Sequence, residues 1–142
     1  MMHSVEGHSV FLGLGANIGE RKQTLLKAID LINQAVGPVE SQSSFYETKP
    51  WGFVSSHPFV NACICCCTKL APRQVLNATQ KIEKQLGRTE KSVGSVYHDR
   101  VIDIDILLYD DLKLNEPDLK IPHPLMYDRE FVMEPLCEIM EK

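Results

Sequence analysis

Two aspartates in an otherwise apolar run, Asp103 and Asp105 in Arg100-Val-Ile-Asp-Ile-Asp-Ile-Leu-Leu-Tyr, are the best candidates for chemistry in this sequence. On a strand, residues i and i+2 face the same side, about 6.5 Å apart along it. Val101 shares that face, and Ile102, Ile104 and Ile106 take the other. Two adjacent carboxylates repel each other unless a cation lies between them. Their hard oxygens suit Mg²⁺. A pair of such ions about 3.5–4 Å apart can clamp the oxygens of a transferring phosphoryl group. The competing reading is a solvated strand edge. Aspartate is a poor strand former, and two in so short a run argue against that.

Phosphate groups also need guanidinium or ammonium donors. Arg88, Arg100 and Arg129 stand at a helix end, a strand start and in the tail. Taken singly, each is as easily a surface ion-pair partner. His123 lies between two prolines in Ile121-Pro-His-Pro, where it can donate to a phosphate oxygen, serve in acid/base work, or simply be structural. Gly13-Leu-Gly15-Ala-Asn17-Ile-Gly19 is neither a dinucleotide fingerprint nor a P-loop. It is either a tight strand-to-helix turn or a place where backbone comes close to a flat ligand.

Elements must position these residues. His8 to Gly15 reads as a short buried strand. Glu20 to Ala35 has helical apolar spacing at Leu25, Leu26, Ile29, Leu31 and Ile32, and stops at Gly37-Pro38. Val39 to Tyr46 is a strand candidate, Thr48 to Pro58 an ordered loop, and Phe59 to Thr68 a long strand. Pro72 opens a helix that runs through Leu86, with Gly87 ending it. Arg88 to Asp99 reads as a mobile loop and Arg100 to Tyr109 as a strand. Leu112 to Leu114 is a short partner strand for it, Ile121-Pro-His-Pro is irregular, and Phe131 to Glu141 is a final helix.

The fold class is therefore α+β. It is a ferredoxin-like βαββαβ core with a mainly antiparallel sheet, helices packed on one face, and an added C-terminal helix reaching the other. The two long loops exceed mere connections, and such loops usually carry function.

The 142 residues fit one domain, 1–142, with 1–7 as a flexible tail. The net charge of −4 argues against general nucleic-acid binding. No apolar run approaches the roughly 20 residues that span a bilayer, so no membrane association and a cytoplasmic location are expected. Cys63, Cys65, Cys66 and Cys67 crowd one strand, and Cys137 lies apart. Strand alternation puts Cys63, Cys65 and Cys67 on one face and Cys66 on the other, so four thiolates cannot converge on one zinc. They read as buried small hydrophobes.

Six segments, in order, carry a further signal: Leu14-Gly-Ala-Asn-Ile-Gly-Glu-Arg, Tyr46-Glu-Thr-Lys-Pro-Trp-Gly, Pro58-Phe-Val-Asn-Ala, Ile82-Glu-Lys-Gln-Leu-Gly-Arg, the Asp103/Asp105 run, and Ile121-Pro-His-Pro-Leu-Met-Tyr-Asp-Arg-Glu-Phe-Val. Together they closely resemble the 6-hydroxymethyl-7,8-dihydropterin pyrophosphokinases of folate biosynthesis, from about Val10 to Ile139. The resemblance implies transfer of the terminal diphosphate of ATP to the pterin hydroxymethyl oxygen, by attack on the β-phosphorus with release of AMP. It implies two Mg²⁺ on Asp103 and Asp105, with Arg88 and Arg100 also catalytic. For the pterin it points to Gly15, Thr48, Lys49, Pro50, Phe59, Asn61, Tyr97, Arg129 and Phe131. For ATP it points to Gln80, Glu83, Arg88, Arg100, Ile106, His123 and Arg129. A monomer is expected, with association to other folate-pathway enzymes left open. The chain departs from the family pattern at Glu90 and Tyr97 in the loop after Arg88, and at Asp118, where some members carry arginine. The readings weighed against it are a non-catalytic ferredoxin-like module, another pterin enzyme such as an aldolase, and a dinucleotide oxidoreductase.

Overall fold

The computed structural model describes residues 7–48, 58–87 and 101–140. Alternation of Val10, Leu12, Leu14 and Ala16 with Phe11, Gly13 and Gly15 builds the central strand β1 (His8–Ala16). After α1 (Arg21–Ala35) come β2 (Val39–Gln42), β3 (Tyr46–Thr48) and β4 (Phe59–Thr68). α2 (Pro72–Gln85), β5 (Asp103–Tyr109), the β6 (Leu114–Glu116) and β7 (Leu119–Ile121) pair, and α3 (Glu130–Met140) follow. The main sheet is ordered β2-β4-β1-β5, with β3 also pairing with β4, and every pairing is antiparallel. This is the expected ferredoxin-like arrangement, with β5 at an edge.

The two sheet faces carry separate cores. Val10, Leu12, Leu14, Ile64, Ile102, Ile104 and Ile106 pack under α1 and α2. On the other face Cys63, Cys65 and Leu107 pack against Leu136 and Ile139 of α3. Cys66 lies in the first core, so the cysteines divide between faces as strand alternation requires. Among the described residues no three His, Cys, Asp or Glu side chains gather to hold a metal, and no helix is long and apolar enough to cross a membrane.

Local details differ from the sequence expectation. Val39 to Tyr46 is two strands rather than one. At the break the Ser43 hydroxyl accepts the Cys63 N–H at 2.9 Å and donates to the Ser44 carbonyl at 2.7 Å, standing in for ladder groups. Leu26 faces outward at 53% exposure, because α1 buries Leu25, Ala28, Ile29 and Ile32 instead. The short strand after β5 does not pair with it. β6 pairs with β7, which takes in Ile121 from the segment read as irregular. α3 holds Pro135 in its second turn, where it has no N–H to give the Phe131 carbonyl.

Candidate active site

The register of three strands assembles the site. Asp103 stands opposite Gly15 on β1, and Gly15 opposite Asn61 on β4. The next row is Asp105, Gly13 and Cys63. With neighbouring strands about 4.8 Å apart, the backbones of Asp103 and Asn61 are separated by about 10 Å across a glycine. Ile102, Ile104 and Ile106 are buried on the helix side, so both aspartates project from the other face, each half-buried. α3 covers the Cys63, Cys65 and Leu107 part of that face.

Gly15 is required by what leans over it. A Cβ there would lie 2.9 Å from Asn61 Oδ1 and 3.5 Å from Phe59 Cδ1. The buried Asn61 amide and the Phe59 ring, two residues apart on β4, thus share the face with the aspartates. Thr48 pairs with Phe59 through the β3 ladder. The Arg21 guanidinium, at the start of α1, donates to the Pro58 carbonyl at 2.7 Å and pairs with Glu47 at 3.0 Å. It therefore fixes the facing ends of β3 and β4. Sequence reasoning assigned Arg21 nothing, because its partners lie far along the chain. Glu138 was missed for the same reason. Its carboxylate accepts the Tyr46 hydroxyl at 2.7 Å and the Ser44 N–H at 3.0 Å, fastening α3 to the start of β3.

His123 closes the other side. Its backbone N–H donates to the Leu107 carbonyl at 3.0 Å, and its ring Nδ1 accepts the Leu125 backbone N–H at 3.3 Å. A backbone N–H can only donate, so the neutral ring carries its proton on Nε2. Burial holds the His123 pKa below its ordinary value; the Arg129 charge lowers it further and the Asp103 charge opposes this. His123, Arg129 and Asp103 are therefore within electrostatic reach of one another. The Arg129 guanidinium also lies 5.6 Å from the centre of the Phe131 ring.

On the edge of β5, Glu83 of α2 is buried, and its Oε2 accepts the Ile104 N–H at 2.7 Å. The carboxylate is turned onto the strand. Gln80, one turn earlier, is exposed. The Ile106 side chain lies in the helix-side core, so only its backbone can meet a ligand. By the two-residue period of the ladder that backbone points outward, as Ile104 does. Asp118 is held by Arg73 through two 2.9 Å hydrogen bonds, and Arg73 also pairs with Glu116. Lys49, Pro50, Arg88, Glu90, Tyr97 and Arg100 lie outside the described residues.

Two oxygen-donor side chains beside two glycines suit a hard cation that takes its remaining ligands from substrate and water. The neighbouring Cys63 thiol is no soft competitor, since burial raises its pKa.

Fold and site define a ferredoxin-like α+β domain whose sheet face gathers carboxylates, an amide, an aromatic ring and cationic or N–H donors. The family model for 7,8-dihydro-6-hydroxymethylpterin-pyrophosphokinase matches residues 11–141. The chain belongs to that family. It is 49% identical over 131 residues to the 2-amino-4-hydroxy-6-hydroxymethyldihydropteridine pyrophosphokinase of Porphyromonas gingivalis, covering 92% of this chain and 89% of the relative. Identity to the Aquifex aeolicus protein of the same name is 40%, over 92% of this chain and 79% of that one. The crystal structure of Plasmodium falciparum HPPK-DHPS wild type with pteroate superposes with a TM-score of 0.74 at 15% identity, over 98% of this chain. The chain spans 40% of that longer protein, and the likeness there is one of fold.

Proposed function

We propose that the chain transfers the diphosphate of ATP to the hydroxymethyl oxygen of 6-hydroxymethyl-7,8-dihydropterin, releasing AMP, with Mg²⁺ on Asp103 and Asp105 and attack on the β-phosphorus. The observation that carries this reading is the row Asp103, Gly15, Asn61. A flat ring held at Asn61 and a phosphate chain held at Asp103 meet over a residue with no side chain. The Asn61 amide has the donors and acceptor to match the amine-and-amide edge of a pterin. Phe59 and Phe131 are the rings for offset stacking, and the Phe131 ring is already topped by Arg129. Thr48, Lys49, Pro50 and Tyr97 complete the pterin side in this proposal.

On the nucleotide side, the outward backbone of Ile106 offers an N–H and a carbonyl to a base. Gln80 and Glu83 flank it on α2. The neutral His123 presents Nε2–H to a phosphate oxygen, and Arg129, Arg88 and Arg100 supply fixed positive charge. Bound at Asp103 and Asp105, two magnesium ions neutralise the phosphates and lower the cost of bringing an oxygen nucleophile to them. The protein's part is to hold both substrates in line and to present preorganised charge.

This reading treats residues 1–142 as one domain acting in the cytoplasm as a monomer. The fused HPPK-DHPS relative supports working beside another folate-pathway enzyme. Product analysis tests it. With ATP, Mg²⁺ and hydroxymethyl-dihydropterin, AMP and the pterin diphosphate should appear together. ADP instead would refute attack at the β-phosphorus.

A further inference from the structure

Among the described residues β5 pairs with β1 alone. β1 holds its inner edge, and the strand carries two like charges on the same face at its open end. Ile104, the residue between those charges, points its N–H away from β1. That N–H is met by Glu83 Oε2 at 2.7 Å, in a buried setting. Glu83 itself is 8% exposed and sits on the inner stripe of α2 with Val75, Thr79 and Ile82. A carboxylate is seldom buried without a specific task. A carboxylate accepting a backbone N–H makes a strong, charge-assisted bond. This one ties the edge strand to the helix layer at the residue that separates Asp103 from Asp105.

We propose that Glu83 is a positioning residue, holding β5 so that Asp103 and Asp105 stand in chelating register before any ion arrives. This rests on the assignment of those aspartates to Mg²⁺ and goes beyond it, because it gives Glu83 a task apart from touching the nucleotide. Glutamine at this position keeps an acceptor oxygen but loses the charge. Alanine removes both. Aspartate keeps the charge but falls one methylene short of Ile104.

Amide hydrogen exchange in metal-free protein reads the tie directly. Glu83→Ala should lower protection of the Ile104 amide by about 10- to 100-fold, the worth of one charge-assisted bond, with the central β1 amides unchanged. Glu83→Gln should keep Ile104 protected within about threefold, because the acceptor remains. Titration with Mg²⁺ alone, which leaves any nucleotide contact of Glu83 out of the reading, should show half-saturation raised about tenfold in Glu83→Ala and clearly less in Glu83→Gln. If Glu83→Ala does not fold, Glu83→Asp should show the same losses. Unchanged Ile104 protection in Glu83→Ala would overturn the proposal. So would Glu83→Gln losing as much Mg²⁺ affinity as Glu83→Ala, since charge and not the tie would then be at work. If Asp103→Ala binds Mg²⁺ like the parent, the metal assignment falls, and the Ile104 amide still decides whether Glu83 holds the strand.

Discussion

Substituting Gly15 with alanine separates the demands of the fold from those of the site. The new Cβ would lie 2.9 Å from Asn61 Oδ1, well inside ordinary contact, and 3.5 Å from the Phe59 ring, which is ordinary contact. The obstacle is the end of a side chain, so the backbone need not move. Overpacking costs about 1–3 kcal/mol in general, and this case belongs at the low end. About 1 kcal/mol lowers Tm by roughly 3–5 °C in a chain of this size. The functional loss should be larger. Asn61 must swing by about 0.5 Å, at the limit of productive site geometry. Losing its paired hydrogen bonds to the pterin costs about 1.4–3 kcal/mol, or about 10- to 100-fold in kcat/KM for that substrate. KM for ATP should not change. Gly13→Ala is the control. The atoms nearest its Cβ would be those of the Leu107 side chain, at 3.4–3.6 Å, which is ordinary contact, so activity should stay within about threefold. Steady-state AMP release with each substrate varied, plus thermal melts, measures all of this. Equal losses in the two variants, or a Gly15→Ala defect confined to ATP, would refute the cross-strand reasoning.

Asp103→Ala and Asp105→Ala should each abolish transfer while the protein still folds, as read by circular dichroism and a cooperative melt. A variant with full activity removes the metal assignment. The His123 pKa, followed by NMR in metal-free protein, should lie below 6.5, rise in Arg129→Gln and fall further in Asp103→Asn, because those charges act in opposite senses. A folded pKa below the unfolded one means that stability is kept above about pH 6.5 and declines as acid takes the protein down through the folded value. Thiols give the opposite sign. Burial pushes Cys65 up to about 11 and Cys66 up to about 12, from an ordinary 9.0, so their contribution holds below pH 9 and is lost as pH rises beyond it. Urea midpoints from pH 8 to 11 should fall accordingly, and thiol reagents at pH 8 should reach the exposed Cys137 well before Cys63, Cys65 or Cys66.

Features repeating within a few residues were open to sequence reading. Asp103 and Asp105 share a face because strands alternate, and the same rule split the cysteines between cores. Features that depend on distant pairing were not. Nothing local brings Gly15 beside Asn61 or Glu138 beside Tyr46. Glu83 read as a polar contact to the nucleotide, and nothing local announced that its carboxylate also accepts the Ile104 N–H, 21 residues on. The single strand expected from Val39 to Tyr46 failed because the Ser43 hydroxyl can replace a ladder group, an option that β-propensity does not register. Leu26 was assigned inward because it sits beside Leu25, and only tertiary packing decides which of two adjacent leucines the core takes.

The pairing of β5 with β1 skips one residue: Phe11 faces Leu108 and Leu12 faces Ile106, leaving Leu107 extra. Strict alternation would have put Tyr109 on the same face as Asp103 and Asp105. With the extra residue, Tyr109 returns to the helix-side core, where its hydroxyl donates to the Leu70 carbonyl at 2.6 Å. The bulge works as a phase joint between a working end and an anchoring end of one strand. Deleting Leu107 or Leu108 would remove the bulge and leave a regular ladder, with the carboxylates and the tyrosine still on opposite faces. Substitutions on the working end can therefore accumulate without disturbing the anchor, whereas a further residue inserted between them would turn the tyrosine out of phase.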